Sequence, residues 1–319
     1  MERRRDPLTG QWRVFAGHRQ DRTFLPPPDQ CPLCPTRPGG LVTEIHKPSF
    51  DIAVFDNRFP SLVASPPPPS VAGTDLYAVA PAAGACEVVV YSDDHEATFA
   101  GLGRERTRLV IDTWAERYTA LGARPEVAYV FIFENKGEEI GVTLSHPHGQ
   151  IYGYPEIPPI PRLELEAAAA AGRCVLCDVV AAEVADDQRA VTGNDSFVAF
   201  VPFAPRFPYE VHIASRVHRP SLVDLDDGER DDLAGVLETV TRTYDLLWGF
   251  SLPYVMAVHQ APTDGGDWSA ASHLHVEFTP IHRSATKLKY LAGSELGAGA
   301  FISDVAPEQA AAELRARRP

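Results

Sequence analysis

Two histidines and a glutamine stand at alternate positions in His146-Pro147-His148-Gly149-Gln150. If the chain is extended there, as the apolar run 127–133 suggests for a partner strand, residues two apart share a face and all three side chains point the same way. A neutral imidazole can bind a metal ion or attack phosphorus, and a glutamine amide can hold a phosphoryl oxygen without titrating. The stretch reads as an active site.

Four of the five cysteines fall into two pairs, Cys31-Pro32-Leu33-Cys34 and Cys174-Val175-Leu176-Cys177. A CxxC pair supplies half of a tetrahedral zinc shell and needs two further ligands from elsewhere in the chain. An internal repeat nominates them. Arg58-Phe59-Pro60 returns as Arg206-Phe207-Pro208, and Ser145-His146-Pro147-His148-Gly149-Gln150 returns as Ser272-His273-Leu274-His275-Val276-Glu277. His95 and His146 then complete the first shell, and His218 and His273, separated by a similar interval, complete the second. Four protein ligands leave no open coordination position, so both ions are expected to be structural, bracing the sheet near the reactive strand. Cys86 is left as a buried strand residue.

The repeat also sets the architecture: an α+β fold made by tandem duplication of one unit, with halves at 1–160 and 161–319. Strands are expected at 52–55, 86–91, 127–133, 197–200, 211–214, 253–259 and through 273–278. Ser92-Asp93-Asp94-His95-Glu96 predicts a capped helix start, with the helix covering much of 95–121 through Phe99, Leu102, Leu109, Val110 and Trp114. A second helix should begin just after Pro220, and Pro26-Pro27-Pro28 marks an extended arm leading to Cys31. With 29 basic against 43 acidic residues the net charge is −14, which disfavours a general nucleic-acid or anionic-membrane binder and leaves phosphate recognition to local arginines. The first residues lack the apolar core of a signal peptide and no later run reaches transmembrane length, so a cytoplasmic enzyme is expected.

These residues resemble the galactose-1-phosphate uridylyltransferase family of the histidine-triad superfamily. The resemblance extends over nearly the whole chain: Asp6-Pro7-Leu8-Thr9-Gly10-Gln11-Trp12, His18-Arg19, the first CxxC, Phe133-Glu134-Asn135-Lys136-Gly137, His146-Pro147-His148-Gly149-Gln150, and Arg283-Ser284-Ala285-Thr286 with Lys289 and Glu295. It implies two histidine-triad-like units with an antiparallel sheet and flanking helices, the first carrying the nucleophile and the second the acceptor-binding segment. His148 would attack the α-phosphorus of UDP-glucose and carry UMP to a hexose 1-phosphate, galactose 1-phosphate by family analogy, in a ping-pong cycle. The resemblance assigns Gln150 to a non-bridging oxygen of the uridylyl group and the backbone carbonyl of His146 to the orientation of His148. It assigns Phe55 and Asn57 to the uracil, Arg19, Arg22, Asn135 and Thr143 to phosphates, and Lys289 and Glu295 to the hexose phosphate, often across a homodimer interface. It further implies two zinc ions, with iron possible at the second.

Departures from the family pattern are specific. Thr143 replaces a serine, Leu144-Ser145 replaces Asn-Pro, and Ser294 stands where a tyrosine is usual. The best-known members lack the second CxxC and hold their second metal with a glutamate and three histidines. Glu164, His259, His273 and His275 are the corresponding alternative here, and Cys174, Cys177, His218 and His273 the preferred set. The competing activities are an ADP-glucose phosphorylase using the same histidine, a nucleotide hydrolase, which would want a third histidine at Gln150, and a non-catalytic zinc-stabilised binding module.

Overall fold

A computed structural model describes residues 1–22 and 24–319. The N-terminal strands β1 (Glu2–Arg5) and β2 (Trp12–Phe15) form a hairpin. Its turn is closed by Asp6, whose side chain accepts from the backbone of Leu8 at 2.8 Å. Strands β3 (Ala53–Asp56), β4 (Val79–Pro81) and β5 (Ala85–Val90) lead to helix α1 (Arg104–Gly122), then β6 (Tyr129–Lys136) and β7 (His148–Tyr154). Helices α2 (Pro159–Ala171) and α3 (Val175–Asp186) open the second half. They are followed by β8 (Ala190–Gly193), β9 (Phe197–Phe200), β10 (Val211–Ser215), α4 (Asp227–Leu247), β11 (Tyr254–His259) and β12 (His275–Pro280). A short β13 (His282–Ser284) and β14 (Lys287–Leu288) ribbon precedes the terminal helix α5 (Pro307–Arg315).

One nine-stranded antiparallel sheet, in the order β3-β5-β7-β6-β11-β12-β10-β9-β8, unites the two halves. The repeat is visible in its registers. His148 lies opposite Val90 and Gln150 opposite Val88, while His275 lies opposite Ala214 and Glu277 opposite His212. The halves meet where β6 and β11 pair, Ile132 against Val258 and Lys136 against Tyr254. The fold is therefore α+β, with the two repeated units sharing one sheet. β1, β2 and β4 form a separate three-stranded sheet that the sequence patterns did not suggest.

Alternation along β5, β6 and β7 divides the sheet into two faces. Val89, Val130, Ile132 and Ile151 belong to the main core, together with Val110, Ile111, Trp114 and Leu121 of α1 and Leu233, Leu237, Val240 and Tyr244 of α4. All twelve are at most 1% exposed, and each such side chain contributes about 1.5–3 kcal/mol of burial. The other face carries His148, Gln150 and Tyr152 and is free to build a site.

Helix α1 begins at Arg104, later than the expected start at Ser92. Ser92 instead closes a turn by accepting from Asp94 N at 3.1 Å, and a short 3-10 turn (Phe99–Gly101) follows. Gly103, at φ +77°, adopts a backbone that a helix interior excludes. Leu109, expected on the buried face, is 41% exposed. Helix α4 begins at a capping box in which Asp226 accepts from Glu229 N, six residues past Pro220, because a 3-10 turn (Leu222–Asp224) intervenes.

Candidate active site

Strand β7 begins at His148, so His146 precedes the regular ladder. Pro147 has no N–H to offer the ladder, but its carbonyl still accepts from Tyr91 N at 3.2 Å and keeps the chain beside β5. The expected sharing of one face by His146, His148 and Gln150 therefore resolves into two jobs. His148 and Gln150 open on a cleft, and the ring of His146 turns toward the first cysteine pair. Gly149 between the catalytic candidates is required by close approach, since a Cβ there would fall on the hydroxyl of Tyr91. Tyr91 is held in the core, edge-on to Phe99 at 5.4 Å.

The cleft in front of His148 is open to solvent and lined by Arg19, Arg22, Phe55, Asn57, Thr143, His148 and Gln150, with Leu33, Val88 and Leu144 on its apolar side. Residues from the N-terminal segment, β3, the loop before β7 and β7 itself thus converge, as a nucleotide-sized ligand requires. Asn135 lines an adjoining cavity that shares His148 and Leu144 with the first. Lys289 and Glu295 line neither; they pair with each other at 3.2 Å, and Lys289 also donates to the Ile302 carbonyl.

His148 Nδ1 lies 2.7 Å from the His146 carbonyl oxygen. A carbonyl can only accept, so Nδ1 carries the proton and Nε2 keeps the lone pair. Burial also holds the imidazole below its ordinary pKa of 6.5. Because the charged form is the one disfavoured, the nucleophilic neutral ring persists to lower pH than in an unperturbed histidine. The rate of covalent intermediate formation is accordingly expected to stay level from pH 7.5 down through 6.5 and to fall only below that value. A single-turnover pH profile with its half-point above 6.5 would contradict this order of events.

Both predicted cysteine–histidine sets are assembled. Cys31, Cys34, His95 and His146 have their donor atoms within 4.8 Å of one another, as do Cys174, Cys177, His218 and His273. Cys34 Sγ is 3.4 Å from His95 Nδ1 and 3.5 Å from His146 Nδ1; Cys177 Sγ is 3.3 Å from His218 Nδ1 and 3.4 Å from His273 Nδ1. Bonds of about 2.3 Å to sulfur and 2.0 Å to nitrogen put tetrahedral ligand atoms roughly 3.3–3.8 Å apart, so both sets fit one zinc-sized ion. The outward nitrogens are also fixed: His146 Nε2 donates to Ser92 O at 2.7 Å, His273 Nε2 to Ser215 O at 2.9 Å, and His218 Nε2 to Ser269 O at 2.6 Å. Each of these bonds leaves Nδ1 unprotonated and aimed at the thiols, the arrangement of a metal-ligating histidine. Burial and the neighbouring Cys31 push the Cys34 thiol up to about 12, and burial with Cys174 does the same to Cys177, so two thiolates at either place require a cation's charge.

The alternative second-site set is divided. His273 turns to the cysteines, while Glu164, His259 and His275 gather with Glu277. His275 repeats the geometry of His148, its Nδ1 donating to the His273 carbonyl at 2.9 Å. Its surroundings differ: where Gln150 stands in the first half, Glu277 presents a carboxylate held by Arg206 at 2.6 Å and His212 at 3.3 Å. A carboxylate, unlike the Gln150 amide, has no N–H to donate to a phosphoryl oxygen.

Two family models match the chain. One, described as the galactose-1-phosphate uridyl transferase N-terminal domain, matches residues 1–158, and its C-terminal counterpart matches residues 163–318. A galactose-1-phosphate uridylyltransferase from Thermotoga maritima is 39% identical, the alignment covering 99% of this chain and 98% of the relative. The enzyme of that name from Rattus norvegicus is 32% identical over 98% of this chain and 86% of its own. A solved uridylyltransferase structure superposes with a TM-score of 0.87 at 36% identity, covering 99% of this chain and 98% of the other. An ADP-glucose phosphorylase from Arabidopsis thaliana shares the fold, with a TM-score of 0.73 at 22% identity.

Proposed function

The chain belongs to the galactose-1-phosphate uridyl transferase family, and from that membership together with the cleft at His148 we infer its reaction and the residues that perform it. It is a nucleotidyltransferase that moves UMP from UDP-glucose to galactose 1-phosphate, giving glucose 1-phosphate and UDP-galactose. His148 Nε2 attacks the α-phosphorus, the bond from that phosphorus to the bridging oxygen breaks, and glucose 1-phosphate leaves. The UMP group remains on nitrogen as a phosphoramidate until a phosphate oxygen of galactose 1-phosphate attacks and Nε2 leaves. The observation that carries this assignment is the hydrogen bond from His148 Nδ1 to the His146 carbonyl, which directs a neutral lone pair into the cleft.

The remaining roles follow from chemistry and position. Gln150 donates to a non-bridging phosphoryl oxygen; Arg19 and Arg22 supply positive charge at the cleft, Phe55 and Asn57 bound its uracil side, and Thr143 and Asn135 serve the phosphates. Each cysteine–histidine set holds one zinc ion, and that ion, when bound, cross-links its loop to the sheet without entering the reaction. The halves 1–160 and 161–319 act as donor-binding and acceptor-binding units. The acceptor segment around Lys289 and Glu295 works in a homodimer, which is supported by the exposed Tyr290, Leu296 and Ile302 beside it. No helix among the described residues is long and apolar enough to cross a membrane. Paired thiols suited to zinc, with a net charge of −14, favour a cytoplasmic enzyme that handles small phosphorylated sugars rather than nucleic acid.

Native mass spectrometry after incubation with UDP-, ADP- and GDP-sugars tests the reading. A uridylyl adduct is expected with UDP-glucose, on particles of two chains, discharged by galactose 1-phosphate. An adenylyl adduct discharged by inorganic phosphate, with both hexose phosphates ignored, would make the protein a phosphorylase, and single-chain particles would remove the homodimer.

A further inference from the structure

Tyr152 continues the alternation of His148 and Gln150 along β7, and its hydroxyl oxygen is 3.3 Å from Gln150 Oε1. Gln150 Oε1 also receives Asn57 Nδ2 at 3.2 Å. Two donor-only groups fix the polarity of this chain of bonds. Phe59 N donates to Asn57 Oδ1 at 2.9 Å, which turns Asn57 Nδ2 toward the glutamine. Arg19 NH1 donates to Phe59 O at 2.7 Å and lies 3.4 Å from the Tyr152 hydroxyl oxygen, so the phenol accepts from the guanidinium and spends its only proton on Gln150. The ring of bonds closes through the Phe59 peptide. Both lone-pair directions of Gln150 Oε1 are occupied, and the amide has one orientation left, with Nε2 and its two protons presented to the cleft.

We propose that Tyr152, with Asn57 and Arg19, is a positioning residue that locks the Gln150 amide with Nε2 toward the transferring phosphoryl group. The lock matters because the two ends of a glutamine amide have nearly the same shape and opposite polarity. A flipped amide would turn Oε1 toward a phosphoryl oxygen and repel it. Tyr152 suits the task by its surroundings: it is 8% exposed, opposite Cys86 in the β5 register, and edge-on to Phe133 at 5.0 Å, and burial raises its phenol pKa so that the proton stays on. Arg19 thereby acts through Gln150 as well as through its charge. The inference rests on the uridylyl-transfer reading.

Tyr152→Phe removes the hydroxyl and keeps the ring's contact with Phe133, so folding should be preserved. In single-turnover reactions with UDP-glucose, followed by intact mass, adduct formation is expected to slow about tenfold, the equivalent of one neutral hydrogen bond, with substrate affinity changed less than about twofold. In a Gln150→Leu background the same substitution should slow the reaction no further, because there is no amide left to orient. A wild-type rate for Tyr152→Phe, or equal slowing in both backgrounds, would overturn the lock while leaving the adduct intact. Absence of any adduct in the wild-type protein would overturn the transfer reading itself and the lock with it.

Discussion

Replacement of His148 by alanine is expected to reduce turnover by about four orders of magnitude, with folding and metal content nearly unchanged. The size follows from the role: a covalent nucleophile has no substitute in the cleft, since Gln150 and Asn57 carry no nucleophilic nitrogen and His146 is turned to the cysteines. The preservation of structure follows from geometry. The His148 ring makes one hydrogen bond, to the His146 carbonyl, and belongs to neither metal set. Retention of more than about a hundredth of wild-type activity would end the assignment. His148→Gly gives a sharper result, because added imidazole can occupy the vacated space and restore UMP transfer; rescue with the donor's usual specificity is the expected outcome.

The juxtapositions on which the proposed chemistry rests were the most legible from sequence, for a definite reason. His148 and Gln150 are joined by strand alternation, a local rule, and the ligand sets are joined by an internal repeat, which turns a long-range question into a comparison of two halves. His95 shows where locality failed. Its acidic, capped neighbourhood resembles a helix start, yet the chain there is a turn and Gly103 delays the helix. A ligand that must reach Cys34 is better served by a turn than by a helix face. Tyr152 was within reach of the same alternation, two residues past Gln150, but a tyrosine on a strand resembles packing until Arg19 and Asn57 are seen around it. Lys289 and Glu295 were singled out by resemblance alone, and within one chain they bind each other instead of lining the His148 cleft. The fate of His273 was open between two ligand sets, and only the fold, by turning Nδ1 to the cysteines, divides them.

Loss of metal should separate the two halves of the molecule by function. Zinc bound by four protein ligands stabilises the folded state directly, and the free energy of such sites runs to about 10 kcal/mol or more, so removing either ion should lower the unfolding midpoint by on the order of 10 °C. The catalytic consequences should differ. In the first set His146 is at once a proposed metal ligand and the residue whose carbonyl holds His148 Nδ1, so Cys31→Ser with Cys34→Ser should free the support of the proposed nucleophile as well as the ion. Adduct formation by that variant, measured well below its unfolding midpoint, is expected to fall at least a hundredfold. In the second set His273 stands in the same relation to His275, which faces Glu277 and lies outside the proposed transfer site. Cys174→Ser with Cys177→Ser should therefore lose one equivalent of metal and the thermal stability that goes with it, yet form the uridylyl adduct within a few-fold of the wild-type rate. Elemental analysis of the wild-type protein should give two equivalents. A second ion that survives the Cys174 and Cys177 substitutions would move that site to Glu164, His259, His275 and Glu277, and equal catalytic loss from both cysteine pairs would show that the second half reaches the nucleophile through the shared β6–β11 junction.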